Sequence, residues 1–149
     1  AREKLQITLA VSLHAPTQEK RERLMPVARR YDMGALMDAC AEYFRLTGRR
    51  VSFEYALIAG ENDGIEDART LSLLLRNAMP RGGAHVNLIP VNPVVESAYR
   101  APARSAAYAF QKELEKNEIN ATIRREMGGD IDGACGQLRR RRFRKDTEC

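Results

Sequence analysis

Four short polar clusters hold the side chains best suited to chemistry. Ser12-Leu13-His14-Ala15 places a hydroxyl and an imidazole two residues apart. A Ser–His pair of this kind invites a hydrolase reading, yet no nucleophile-elbow glycine pattern surrounds Ser12. Asn62-Asp63-Gly64 reads as turn and cap chemistry, because Asx-Gly supplies local hydrogen bonds and left-handed backbone. Asn92 lies between Pro90 and Pro93, on stiffened backbone suited to holding a ligand's polar atoms. Cys135 stands in Gly-Gly-Asp-Ile-Asp-Gly-Ala-Cys-Gly-Gln-Leu, residues 128–138, where dense glycine permits close backbone approach rather than packing. A thiol on such a loop is a candidate nucleophile. Asp130 and Asp132 disfavour its thiolate, so activation has to come from a bound ligand or partner.

These clusters need a scaffold, and the periodicity supplies one. Residues 6–13, QITLAVSL, form an apolar β-rich run. A short charged helix follows Pro16-Thr17 and ends at Pro26. Asp32 caps a helix over 33–46 with Leu36, Ala39, Cys40, Tyr43 and Phe44 along one face, stopped by Gly48. A strand at 50–58 carries Glu54 and Tyr55, read as core-edge or barrel-lumen residues. A helix at 65–79, a strand at 84–91, a helix at about 102–117 and a strand at 120–125 complete the chain. This alternation predicts an α/β fold, a parallel sheet with helical crossovers. Parallel strands end on one side, and all four polar clusters follow strand ends, so they converge where α/β folds carry their sites.

The 149 residues, 44% hydrophobic and 30% charged, suit one domain with a real core and exclude wholesale disorder. No apolar run reaches the roughly 20 residues of a membrane helix. The first residues, AREKLQITLA, lack the apolar stretch of a secretory signal, so the expected location is the cytoplasm. Residues 139–145, RRRRFRK, carry six basic groups in seven and account for most of the net charge of +5. Residues 1–138 are then the globular part and 139–149 a basic tail, either a solvated end or a contact for phosphates. Cys40, Cys135 and Cys149 form neither a disulfide framework nor a CxxxCxxC motif, so no metal ligands are expected in this chain.

Taken together, SLHA (12–15), FEYALIAGENDG (53–64), HVNLIPVNP (85–93) and GGDIDGACGQL (128–138) resemble the radical SAM methyltransferases that methylate adenine carbon 2 in 23S rRNA and tRNA. The related adenine carbon-8 methylase shares much of this framework. The match runs over about residues 1–138 and corresponds to the C-terminal part of that family's chain.

The resemblance implies half of a partial TIM-like (β/α) barrel, with Ser12, Leu13, His14 and Asn92 contacting S-adenosylmethionine. It implies that Cys135 first accepts a methyl group from one S-adenosylmethionine. A second, cleaved reductively at a 4Fe-4S cluster, yields a radical that abstracts hydrogen from that S-methyl group. The carbon radical then adds to the adenine ring, and another cysteine resolves the adduct. A radical route suits an electron-poor ring carbon that resists electrophilic methylation. The family's CxxxCxxC motif, general base and resolving cysteine are absent from these residues, so the chain alone is expected to be catalytically incomplete. RNA is the partner this implies for the whole enzyme. A half-barrel also leaves open sheet edges, which predicts self-association. The competing expectation is a stand-alone half-barrel acting as a binding module. A small hydrolase using Ser12 or Cys135 ranks last.

Overall fold

A computed structural model describes residues 6–91 and 99–124. Four strands, β1 (Leu9–Ser12), β2 (Val51–Leu57), β3 (Ala84–Pro90) and β4 (Asn120–Ile123), form one sheet in the order β1-β2-β3-β4, every pair parallel. The crossovers carry α1 (Gln18–Leu24), α2 (Met33–Thr47), α3 (Ile65–Ala78) and α4 (Arg104–Lys116), with a 3-10 turn at Pro26–Arg29. Sequential order, with the right-handed crossovers usual between parallel strands, puts successive helices on the same face of the sheet, the arrangement of a (β/α) barrel wall. The expected α/β class is therefore observed. No helix among the described residues is long and apolar enough to cross a membrane.

Local chemistry sets the helix ends. The Thr17 hydroxyl accepts from the Lys20 N–H and the Asp32 carboxylate from the Ala35 N–H, 3.1 Å away. Gly48 closes α2 at φ 66, donating to the Phe44 carbonyl. Gly83, just before β3, is a close approach: a Cβ there would lie 2.9 Å from the Pro80 carbonyl and 3.1 Å from the Phe44 ring.

The core lies between one face of the sheet and the helices. Val51, Phe53, Tyr55 and Leu57 of β2 meet Val86 and Leu88 of β3, under Leu71 and Leu75 of α3 and Phe110 and Leu114 of α4. The Tyr55 and Phe110 rings sit 5.3 Å apart, tilted, and tie α4 to the central strand. On α2 the buried stripe is Met33, Met37, Cys40 and Ala41, whereas Ala39 is exposed. Helical spacing from Met33 fixes that stripe and turns position 39 outward.

One boundary moves more than the others. Gln6, Ile7 and Thr8 are exposed and precede the ladder, and β1 stops at Ser12 because the Leu13 and His14 N–H groups both turn to the Glu54 carbonyl, at 3.0 and 3.2 Å.

Candidate functional site

The parallel register brings the strands' C-terminal ends to one side, where the β1–α1 turn and the β2–α3 loop meet. Ser12 ends β1 with its side chain exposed. Leu13 follows with its side chain fully buried in the core, so a ligand there would meet only its backbone. His14 adopts φ 58, a left-handed conformation that is uncommon for a residue with a Cβ. Several hydrogen bonds hold it there. The His14 N–H donates to the Glu54 carbonyl, its Nδ1 accepts from the Ala56 N–H at 3.0 Å, and its carbonyl accepts from the Asn62 side chain at 2.8 Å. Because Nδ1 accepts a backbone N–H, the neutral ring carries its proton on Nε2.

Asn62 is the hub of this turn. It is fully buried. Its Oδ1 accepts from the Ile58 N–H at 2.8 Å, and its Nδ2 donates to the His14 and Ala56 carbonyls at 2.8 and 2.6 Å. Its own carbonyl accepts from the Tyr55 hydroxyl at 2.9 Å. The turn chemistry expected of Asn62-Asp63-Gly64 is present, with Asp63 accepting from the Gly60 N–H. The clamp across to β1 goes further, and a local reading could not reveal it. Lys20 adds a second tie, reaching the Glu61 carbonyl at 3.1 Å and the Asp67 carboxylate at 2.6 Å.

Beneath the turn lies Arg21, 4% exposed, whose guanidinium donates to the Tyr31 and Ser12 carbonyls at 3.3 and 3.4 Å. Its Nε finds no partner, and no carboxylate pairs with it among the described residues. Burial and then the Arg21 charge hold the His14 pKa below its ordinary 6.5, against an opposing pull from Glu54.

This shift has a sign for stability. Above about pH 6.5 His14 is neutral in the folded and the unfolded chain alike, and the native state is at full strength. As the pH falls toward the lower folded value, the unfolded chain binds the proton first, so stability declines. His85 shifts in the same direction by burial, then Arg50. We expect a lower urea midpoint at pH 5 than at pH 7.5, with part of the difference removed in His14→Asn. An unchanged slope in that variant would refute the assignment to His14.

Cys40 is a buried core residue whose thiol burial pushes up, so it is unsuited to nucleophilic or ligand chemistry. Asn92 and Cys135 lie outside the described residues. Among the described residues, no group of three or more His, Cys, Asp or Glu could hold a metal ion. A cleft of about 470 Å³ opens at the other end of the sheet, between the Met79–Ala84 segment and Glu118–Asn120. It lies at the N-terminal ends of β3 and β4, the side of such folds that serves stability.

Fold and turn together define a parallel (β/α) wall with a hydrogen-bonded turn at its C-terminal strand ends. The chain superimposes on a radical SAM methyltransferase from Sphaerobacter thermophilus with a TM-score of 0.84 and 46% identity, over 91% of this chain and 39% of that one. A domain of pyruvate-formate lyase-activating enzyme from Bacteroides vulgatus shares the fold alone, at TM-score 0.62 and 17% identity, covering 79% of this chain and 67% of that chain.

In sequence, the chain is 54% identical over 136 residues to the "Probable dual-specificity RNA methyltransferase RlmN" of Lachnospira eligens, covering 91% of this chain and 38% of that protein. The protein of the same name from Desulforudis audaxviator is 54% identical over 148 residues, covering 99% and 45%. That from Symbiobacterium thermophilum is 56% identical over 146 residues, covering 97% and 38%. No family model matches the chain. By sequence and fold the chain is similar to one part of the radical SAM RNA methyltransferases, and it spans less than half the length of these relatives. The resemblance carried by the four motifs and the partial-barrel class are both borne out. For that family, the radical SAM name implies S-adenosylmethionine and an iron–sulfur cluster.

Proposed function

We propose that this chain is one part of a radical SAM methyltransferase that methylates adenine carbon 2 in 23S rRNA and tRNA. On this reading residues 1–138 form part of its barrel, and Ser12, Leu13, His14 and Asn92 contact S-adenosylmethionine. Cys135 carries the methyl group. The observation that supports it most is the pre-formed Ser12–His14 turn at the C-terminal strand ends, in a chain about half identical to RNA methyltransferases.

The turn suits S-adenosylmethionine. Its neutral imidazole offers an Nε2–H without adding positive charge beside a sulfonium, and the Ser12 hydroxyl is open to solvent. Bound there, the cofactor supplies an activated methyl group. The protein's own share is to fix the turn in advance, which lowers the ordering cost of binding. An iron–sulfur cluster does not fit the cysteines of this chain: Cys40 is core, and Cys135 and Cys149 stand in no CxxxCxxC array. The reading therefore places the cluster on residues outside this chain. The Arg-rich segment 139–149 adds phosphate contacts for RNA, and the cytoplasm is where both RNAs are found. Among the described residues β1 and β4 each pair on one side only, and on this reading the isolated chain associates with itself through these edges. Sedimentation as a monomer at tens of micromolar would count against that association.

S-adenosylmethionine binding tests the site. With part of the pocket absent we expect weak binding, about millimolar, seen as amide shifts in the 12–15 and 56–62 segments. Those shifts are lost in His14→Ala. Tight binding, or binding indifferent to His14, would contradict the assignment.

A further inference from the structure

The sheet has a second face, opposite the helices, and it is not apolar. In the parallel register Ser12 stands beside Glu54, Glu54 beside Asn87 and Asn87 beside Thr122, one polar row across all four strands. Alternation fixes the direction of these side chains. Phe53, Tyr55, Val86, Leu88 and Ala121 are buried toward the helices, while the row's members are half-buried or exposed on the other side.

Glu54 is the row's only charge, and no cation pairs with it among the described residues. Two neutral donors orient it instead. Ser52 donates to Oε1 at 3.1 Å and Asn87 donates to Oε2 at 2.8 Å, which leaves a lone pair on each oxygen for a further donor. Ala10, Ser12, Ser52 and Ala56 around it on this face are small, while Asn87 stands beside it and His85 beside Ser52. Small side chains next to the carboxylate suit a flat ring, with Ile89 as an apolar flank. The Glu54 charge reaches His14, whose neutral Nε2–H is a donor at the end of the same face.

An oriented acceptor, a nearby donor and a flat floor of small side chains complement a planar base that presents an amino group next to a ring nitrogen. We propose that this row is a recognition floor for a 6-aminopurine, with the Glu54 carboxylate accepting from the exocyclic amine and Asn87 and Ser52 positioning that carboxylate. The choice of an adenine as occupant rests on the function proposed above. Two adenines qualify, that of S-adenosylmethionine and that of an RNA, and both present the same amine.

The test is a titration of this chain with adenosine and with purine riboside, which lacks only the amine, read by amide and side-chain NMR at β2 and β3. Adenosine is expected to bind about tenfold or more tightly than purine riboside. Glu54→Gln is expected to remove most of that difference. Equal binding of the two nucleosides by the unaltered chain overturns the proposal, as does an undiminished preference in the variant. Competition then separates the sources. Displacement by S-adenosylmethionine assigns the floor to the cofactor, and displacement by a short adenosine-containing RNA alone assigns it to the substrate. His14-dependent S-adenosylmethionine binding with no preference for the amine sinks the recognition floor and leaves the proposed function standing. A preference for adenosine in a chain that does not bind S-adenosylmethionine does the reverse.

Discussion

Asn62→Ala is expected to lower the unfolding free energy by about 3–5 kcal/mol. The carboxamide is fully buried and makes three hydrogen bonds, to the Ile58 N–H and to the His14 and Ala56 carbonyls. Truncation leaves all three groups without their partner in a place that water does not reach. Each buried polar group left unpaired costs about 1–3 kcal/mol. Against a typical total of about 5–15 kcal/mol, that is a large fraction of the stability. The local consequence is as informative as the global one, because His14 loses the bond that secures its left-handed backbone. Chemical denaturation gives the first number, and the amide signals of residues 13–15 give the second. A loss below about 1 kcal/mol, with the His14 signals in place, would mean that the turn is held by other contacts.

The second large effect concerns Cys135. On the proposed reading, Cys135→Ser in the full-length protein lowers methyl transfer to RNA by about 10³-fold or more. Serine preserves size and polarity. Its hydroxyl, however, stays protonated near neutral pH and is a far poorer nucleophile than a thiolate, so it does not accept a methyl group from a sulfonium. A carbon radical next to oxygen also lacks the sulfur contact that the thioether supplies. Folding is expected to be unaffected, since serine is close to cysteine in size. Activity retained within a few-fold would remove Cys135 from the chemistry.

The elements were legible because caps and stops agree with the apolar period. Thr17, Asp32 and Gly48 each mark a helix end where the structure has one. The parallel sheet followed from strands separated by helix-length segments. Less legible was the clamp at Asn62, since its partners His14 and Ala56 come together only after β1 and β2 pair, and a one-dimensional reading stops at the Asn-Asp-Gly turn. Buried Arg21 was hidden by its neighbours. Gln18, Glu19, Lys20, Glu22 and Arg23 read as a solvated helix, and nothing local singles out the one guanidinium that tucks under Ser12.

The polar row did leave a signal. Strands of a parallel sheet covered on both faces are near-continuously apolar, yet β2 alternates Val51, Ser52, Phe53, Glu54, Tyr55 and β3 alternates Ala84, His85, Val86, Asn87, Leu88. Alternation in parallel strands already says that one face meets something other than helices. That inference was available for Glu54 as a lumen residue, but its partner Asn87 required the register.

The most direct measurement is nucleoside mass spectrometry of 23S rRNA and tRNA treated with the full-length protein under anaerobic, reducing conditions with S-adenosylmethionine. 2-Methyladenosine is expected with the unaltered protein and none with Cys135→Ser. Unmodified adenosine in both samples, from a protein shown to bind S-adenosylmethionine, would contradict the proposed function.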